Sequence, residues 1–162
     1  VPIVPFNSTP EAILAFNPDG VLFSNGPVAG TDAPEVRALF SALKGKLPIL
    51  GIGLGMEVMG LEYGASLVPM GCGMHGDHPV RDCATGRINI AVLNQTYRFG
   101  SVEGTSLTPT HVLVPEGYVA GFENKADKVF GVQFHLESAP GPQDNVNLFD
   151  RFIEMMEDKS NA

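Results

Sequence analysis

The chain has 162 residues, of which 44% are hydrophobic and 17% are charged, and its formal net charge is −8. These values are typical of one globular domain, and the negative charge disfavours nucleic acids and anionic membrane surfaces as partners. Because the sequence contains no long apolar run, no signal-peptide pattern and only two cysteines, we expect a soluble cytoplasmic chain with reduced thiols.

Strands and helices alternate along the first third of the sequence. Short apolar runs bounded by Gly, Pro or Asn indicate buried strands, and Ser, Thr or Asp followed by Pro and Glu indicates a helix start. The predicted strands are residues 1–6, 21–24 and 49–52, and the predicted helices begin near Pro10, Pro34 and Met56. This alternation predicts an α/β fold in which helices cover both faces of an open, mainly parallel sheet.

The second half of the sequence consists mainly of predicted strands joined by short turns. These strands are residues 66–70, 87–93, 110–115, 118–123 and 129–134. Asp144 is predicted to cap a final helix, because apolar residues follow it at helical spacing. The apolar face of this helix is predicted to be Val146, Phe149, Phe152, Ile153 and Met156. The charged tail beyond Glu157 is expected to fray, and residues 1–162 are predicted to form a single domain.

A glycine-rich stretch at residues 48–60 has the pattern of a nucleophile elbow. An apolar strand ends among Gly51, Gly53 and Gly55, and apolar residues then recur at helical spacing. A strand, a tight turn and a helix in the frame Gly-x-X-x-Gly place the middle residue above the carboxyl end of a parallel sheet. Here the middle residue is Gly53, which has no side chain and offers no nucleophile.

Residues 51–57 resemble the Gly-Ile-Cys-Leu-Gly-His-Gln elbow of class I glutamine amidotransferases, and they differ from it at Gly53, Met56 and Glu57. The resemblance implies a flavodoxin-like sheet and a reaction in which the cysteine attacks the side-chain amide of glutamine and releases ammonia. It also implies that Gly53 stands at the nucleophile position. Glu57 would lie in the glutamine pocket, where a carboxylate offers only acceptors.

Residues 24–30 resemble the Ser-Asn-Gly-Pro-Gly-Asp-Pro loop of the same family. The resemblance implies that Gly26 in this loop, and Leu54 after the nucleophile position, supply backbone N–H groups to an oxyanion hole. Val28 replaces a glycine of the family loop. Because a β-branched residue resists positive φ, we expect this loop to differ in shape from the family's loop.

Residues 135–137 resemble the His-Pro-Glu sequence that completes the family's catalytic triad. The resemblance implies that His135 is the general base and that Glu137 orients it. We expect His135 to lie within about one side-chain length of Gly53, since triad partners need hydrogen-bond reach.

Residues 93–97 resemble the Gln-Asn-His-Gly-Phe loop that holds the glutamine substrate. Asn94 and the aromatic Tyr97 match that loop and are candidate substrate-binding residues. Gln95 and Thr96 do not match, and together with the other departures they argue against effective glutamine binding.

Residues 76–80, 138–144 and 148–152 are similar to the small subunit of carbamoyl phosphate synthetase, which extends the resemblance over nearly the whole chain. This similarity implies a role in pyrimidine and arginine biosynthesis beside the large synthetase subunit, without a cofactor. In that family a further strand and helix precede the position of Val1. We therefore expect a gap in the sheet, or dependence on another chain that supplies the missing strand.

Three functions are compatible with these residues, and we favour a noncatalytic or regulatory subunit. The first alternative is an active glutamine amidohydrolase that supplies ammonia for carbamoyl phosphate synthesis through an unrecognised nucleophile. The second alternative is a metal-binding module, because two thiols and two imidazoles lie close together in the sequence and such ligands hold zinc tetrahedrally. These four residues are Cys72, His75, His78 and Cys83.

Overall fold

The computed structural model describes residues 1–137 and 142–158. The strands in these ranges are β1 (Val21–Phe23), β2 (Ile49–Ile52), β3 (Leu67–Asp82), β4 (Ile88–Phe99), β5 (Thr108–Leu113), β6 (Val119–Asn124) and β7 (Val129–Val132). The helices are α1 (Pro10–Leu14), α2 (Pro34–Leu43), α3 (Leu54–Glu62) and α4 (Asn147–Glu157), and a 3₁₀ turn covers Gly30–Asp32. None of the described helices has the length and apolarity that crossing a membrane requires.

The strands form one sheet in the order β1-β2-β7-β6-β5-β3-β4. β1, β2 and β7 run parallel, whereas the other neighbours pair antiparallel. The predicted α/β class is confirmed, but the sheet is mixed and not mainly parallel. The reason lies in the connections. A parallel pair needs a crossover of about a dozen residues or more, and the short turns after β5 and β6 permit only antiparallel pairing.

Helices cover both faces of the sheet, as predicted. Side chains alternate along β2, so Ile49 joins the apolar core on one face and Leu50 joins the core on the other. On the first face α2 and α3 contribute Phe40 and Met59 to the core, and on the second face α4 contributes Phe152. Packing on both sides therefore positions the turn between β2 and α3.

The first six residues do not form the predicted strand. They are exposed and lie outside the sheet, and among the described strands β1 is an edge strand that pairs with β2 alone. An extended segment becomes a strand only where a neighbour satisfies its backbone groups, and no ladder includes residues 1–6. A cavity of about 610 Å³ lies between this segment, β1 and α2, and it is lined mostly by apolar side chains.

The final helix begins later than predicted, and three of the five residues of its predicted apolar face, Phe149, Phe152 and Met156, pack against the core. Asp144 does not cap it, because its Oδ2 accepts a hydrogen bond from the Ile90 N–H at 3.0 Å. Val146 and Ile153 belong to the predicted apolar face but are exposed. The buried side chains of α4 are Leu148 and Phe152. The predicted fraying beyond Glu157 concerns mainly residues 159–162, which lie outside the described residues.

The predicted strands 66–70 and 87–93 are parts of a longer antiparallel ribbon formed by β3 and β4. The register of this ribbon shifts between Pro69 and Met74. Beyond the ribbon, β4 meets the segment that follows β7, since Val92 forms an isolated bridge with His135 and accepts its N–H at 3.0 Å. The sheet therefore curls, so that its edge strand β4 reaches the segment after β7.

Candidate active site

The turn between β2 and α3 has the geometry of a nucleophile elbow. Gly53 adopts φ +55° and ψ −112°, a region that residues with side chains rarely occupy. Its N–H donates to Val132 O at 2.9 Å, which connects the turn to β7. The helix begins at Leu54, two residues before the predicted start at Met56. The prediction of a strand, a tight turn and a helix with Gly53 at the tip is thus confirmed.

The side chain of Asn25 fills the space above Gly53. Asn25 Oδ1 accepts a hydrogen bond from the Leu54 N–H at 3.0 Å. A Cβ atom added to Gly53 would lie 2.6 Å from Asn25 Cγ and closer still to Oδ1. Sequence reasoning did not identify Asn25, although its position beside Gly26 at the end of a predicted strand was an available signal. The N–H that the resemblance assigns to an oxyanion hole is therefore already engaged within the protein.

The loop at residues 24–30 packs against the start of α3. A Cβ added to Gly26 would lie 2.5 Å from Leu54 Cδ2, so the Leu54 side chain directly covers this glycine. Among the described residues other than glycine, positive φ occurs at Asn17 and Lys128. Val28 therefore avoids that region, and the loop follows a backbone path that a β-branched residue tolerates.

Glu57 is only 6% exposed, and both of its carboxylate oxygens accept hydrogen bonds from the protein. Oε2 accepts from the Gly30 N–H at 2.8 Å, and Oε1 accepts from Gln133 Nε2 at 3.0 Å. These bonds connect α3 to the end of the loop at residues 24–30 and to the residue after β7. Burial raises the pKa of the Glu57 carboxyl, and the two hydrogen bonds only partly oppose that rise.

We expect Glu57→Gln to raise the free energy of unfolding at pH 7 by about 1 kcal/mol. The amide keeps an oxygen for the Gly30 N–H. After rotation of the Gln133 amide it also donates to Gln133 Oε1, which has no hydrogen-bond partner among the described residues. A raised pKa means that the neutral carboxyl stabilises the fold at acidic pH, and that this contribution is lost as pH rises through the folded pKa. The gain from Gln should therefore grow from acidic pH to pH 7 in urea denaturation.

Glu62→Gln is a matched control in which the pH dependence has the opposite sign. Hydrogen bonds from Ser41 and Arg37 hold the pKa of the Glu62 carboxyl below its usual value. This charge stabilises the fold above the unfolded pKa, so the amide should lower stability at pH 7 and have no such effect at acidic pH. A loss of stability at pH 7 in Glu57→Gln, similar to that of the control, would contradict the expected result.

His135 and Glu137 follow the strand next to the elbow strand. Because Ile52 pairs with Val132 in the parallel ladder of β2 and β7, the segments with Gly53 and His135 both follow the carboxyl ends of these two strands. His135 Nδ1 and Glu137 Oε1 are 2.6 Å apart. Burial would raise the pKa of the Glu137 carboxyl, but hydrogen bonds from backbone N–H groups and from His135 outweigh it and lower that pKa. The reach of His135 to Gly53 stays a prediction.

The residues that resemble the glutamine-holding loop lie within β4 and not in a loop. Asn94 Oδ1 and His75 Nδ1 are 2.8 Å apart across the ribbon, and Tyr97 is also part of β4. Gln95 is buried, and its Oε1 has no hydrogen-bond partner among the described residues. The bridge between Val92 and the segment after β7 places this part of β4 beside the histidine of the predicted triad.

The four residues of the metal-binding hypothesis do not form a site. No group of three or more His, Cys, Asp or Glu residues that could hold a metal ion occurs among the described residues. His78 Nε2 instead lies 3.1 Å from His75 O, and Cys72 and Cys83 are exposed free thiols. The physical reason is that β3 is extended: at about 3.3 Å per residue, the two cysteines are separated by on the order of 30 Å.

Residues 1–155 match the family model described as glutamine amidotransferase class-I. The carbamoyl phosphate synthase pyrimidine-specific small chain of Bacillus subtilis (strain 168) is 40% identical over 156 residues, covering 96% of this chain and 43% of that protein. The carbamoyl phosphate synthase small chain of Listeria monocytogenes serotype 4b (strain F2365) is 41% identical over 162 residues, covering 98% of this chain and 45% of that protein. The chain thus spans less than half the length of these relatives.

Among solved structures, a Thermoplasma acidophilum protein assigned to GMP synthase has a similar fold. Its TM-score is 0.82 and its identity is 21%, and the match covers 97% of this chain and 81% of that chain. At this identity the similarity concerns the fold alone. It agrees with the predicted class I amidotransferase-like architecture.

Proposed function

Since the chain belongs to the class I glutamine amidotransferase family and is homologous to carbamoyl phosphate synthase small chains, we propose that it is a noncatalytic member of this family. In this proposal it serves in binding or regulation, as one subunit of a larger assembly, and does not hydrolyse glutamine. A single observation carries the proposal: the residue at the tip of the elbow is Gly53, which has no side chain.

The chemistry of the family explains why that observation matters. Family members cleave the glutamine amide through a covalent thioester, and a thioester requires a thiol at the elbow. We infer that Gly53 replaces this cysteine. The neighbouring Leu54 N–H, which would stabilise the oxyanion, is hydrogen-bonded to Asn25 Oδ1. Neither the nucleophile nor a free oxyanion donor is therefore available at this position.

One observation favours the alternative of an active glutamine amidohydrolase. His135 and Glu137 are hydrogen-bonded at 2.6 Å, as a general base and its orienting carboxylate would be. This pair has no thiol to activate, because the elbow ends in Gly53. Measurement of ammonia release from glutamine distinguishes the two functions, since only the active amidohydrolase would release it.

We place the binding partner at the open edge of β1. Leu22 in the middle of this strand is 42% exposed, and the cavity of about 610 Å³ lies directly beside the strand. A second chain that adds a strand parallel to β1 would pair with the backbone N–H and C=O groups at the open edge of β1 and fill the cavity. Because the relatives are small chains of carbamoyl phosphate synthase, the partner we propose is a synthetase large chain.

We expect the Leu22 amide to exchange with solvent at least about a hundredfold faster than the Leu50 amide in the isolated chain. The Val21 N–H donates to Pro48 O, so the alternation of a strand turns the Leu22 N–H towards the open edge. Leu50 is fully buried in β2 and serves as the internal control. Hydrogen exchange by NMR measures the two exchange rates with and without the large chain, and light scattering measures the mass of the particles in the same samples.

The added large chain should protect Leu22 and raise the scattering mass. A monomer in which Leu22 is as well protected as Leu50 would contradict the open edge. Unchanged exchange at Leu22 in a mixture that does form a complex would show that the partner binds elsewhere.

A further inference from the structure

The carboxamide of Asn25 lies where an amidotransferase site would hold two groups, a side chain at position 53 and a substrate carbonyl bound to the Leu54 N–H. It accepts the Leu54 N–H at 3.0 Å, and it occupies the volume in which the Cβ of any side chain at position 53 would lie. Asn25 also lines the cavity beside β1, together with Gly26 and Leu54. Its side chain therefore lies between that cavity and the tip of the elbow.

Removal of the Asn25 side chain from this position is sterically simple but has an energetic cost. A Cβ on Gly53 would lie 2.6 Å from Asn25 Cγ and closer still to Oδ1, so the two shortest contacts involve the end of a side chain and not the backbone, whereas the contact with Asn25 Cβ is longer at 3.2 Å. Asn25 is exposed, and its side chain has room to rotate towards solvent. Rotation breaks the hydrogen bond to Leu54, however, and leaves that N–H without its present acceptor.

The chemical character of the contact indicates what it replaces. A carbonyl oxygen held by a backbone N–H at an elbow is the arrangement that an oxyanion hole offers to a substrate carbonyl. Asn25 carries a primary carboxamide, which is the same functional group as the side chain of glutamine. The protein thus supplies from its own chain the kind of carbonyl that the site would take from a substrate.

We propose that Asn25 is an internal occupant of the elbow, which closes the Leu54 N–H to external amide carbonyls and controls which side chains position 53 accommodates. In this arrangement no residue larger than glycine is seated at position 53 until Asn25 rotates away. The inference depends on the geometry of the elbow and goes beyond the proposed function, because it holds whether or not the chain hydrolyses glutamine.

A double-mutant cycle between Asn25→Ala and Gly53→Ala tests this coupling. The strain of placing alanine at φ +55° is the same in both backgrounds and cancels in the cycle. We expect Gly53→Ala to raise the unfolding equilibrium constant by about tenfold more with Asn25 present than in the Asn25→Ala background, since only the former loses a hydrogen bond. Asn147→Ala, at the exposed start of α4, replaces Asn25→Ala in a control cycle that should be additive.

Amide exchange at Leu54 gives a second readout that does not require the double variant to fold. Asn25→Ala should accelerate exchange of the Leu54 N–H by about tenfold or more, whereas Asn25→Asp keeps an acceptor at the same position and should leave it slow. Equal costs of Gly53→Ala in both backgrounds would overturn the proposal. Unchanged Leu54 exchange in Asn25→Ala, or fast exchange in Asn25→Asp, would do the same. None of these measurements detects ammonia, so their failure leaves the proposed function standing.

Discussion

The unmodified chain is expected to release no ammonia from glutamine above the rate of a blank. Amide cleavage in this family needs a nucleophile at the elbow, and Gly53 supplies none. Loss of the nucleophile in a catalytic triad costs on the order of a millionfold in turnover. His135 and Glu137 are paired, but in the proposed triad they would activate a thiol and could not replace it.

Gly53→Cys is expected to restore only a small part of the family's activity. The new thiol would stand on a backbone of suitable geometry, but its Cβ must displace Asn25. Met56 is fully buried against Gly131, and Gln95 is buried in β4. Neither is the residue that the family motif has at that position. Val28, in the loop that the resemblance assigns to the oxyanion hole, does not have positive φ, and we expect the shape of this loop to limit the rescue further.

An enzyme-coupled ammonia assay on rigorously purified chain measures both expectations. His135→Ala in the Gly53→Cys background is the matched control, because any rescued activity that runs through the triad must require the histidine. Ammonia release by the unmodified chain that survives purification would contradict the noncatalytic proposal. Full activity in Gly53→Cys would show that the departures around the glutamine pocket are without consequence.

Gly55→Ala is expected to lower the free energy of unfolding by about 3 kcal/mol, at the upper end of overpacking effects. Alanine is a better helix former than glycine by about 1 kcal/mol, so helix propensity alone predicts the opposite sign. Sterics outweigh propensity here. A Cβ at position 55 would lie 2.8 Å from Phe23 Cβ and 2.9 Å from the Phe23 carbonyl carbon, and closer still to its oxygen. Because the carbonyl belongs to β1, the helix itself must move away from the sheet.

Urea denaturation followed by circular dichroism measures this loss. Gly71→Ala is the control, because a Cβ there meets no atom within 4 Å and its φ lies outside the left-handed region. The control variant should have the same free energy of unfolding as the unmodified chain, within about 0.5 kcal/mol. A Gly55→Ala variant as stable as this control would show that β1 and α3 are less closely packed than the structure has them.

Local sequence patterns were sufficient for the elements around the candidate site. The apolar run before Gly51 and the helical spacing after it predicted β2, the turn and α3, because strand, turn and helix preferences are set by neighbouring residues. The pairing of His135 with Glu137 was accessible for the same reason, since only two positions separate them. The family resemblance of these motifs added the chemistry that the patterns alone do not specify.

Predictions that depended on long-range pairing were less accurate. Residues 1–6 have the apolar character of a strand but have no ladder to join, and apolar character alone does not supply a hydrogen-bonding partner. Val146 and Ile153 were wrongly assigned to the apolar face of α4, because they are as hydrophobic as the residues of that face that do pack against the core.

The sequence by itself determined the elbow, the glycine at its tip and the membership of the family, because the elbow is one short contiguous stretch and the family motifs are several such stretches. Only the tertiary structure decided the partners of the residues at the elbow. Leu54 meets Asn25 from 29 positions away, and Glu57 meets Gly30 and Gln133 from 27 and 76 positions away. Such contacts arise where β1, β2 and β7 are brought side by side with α3, and no local preference specifies which distant carboxamide or N–H group will lie there.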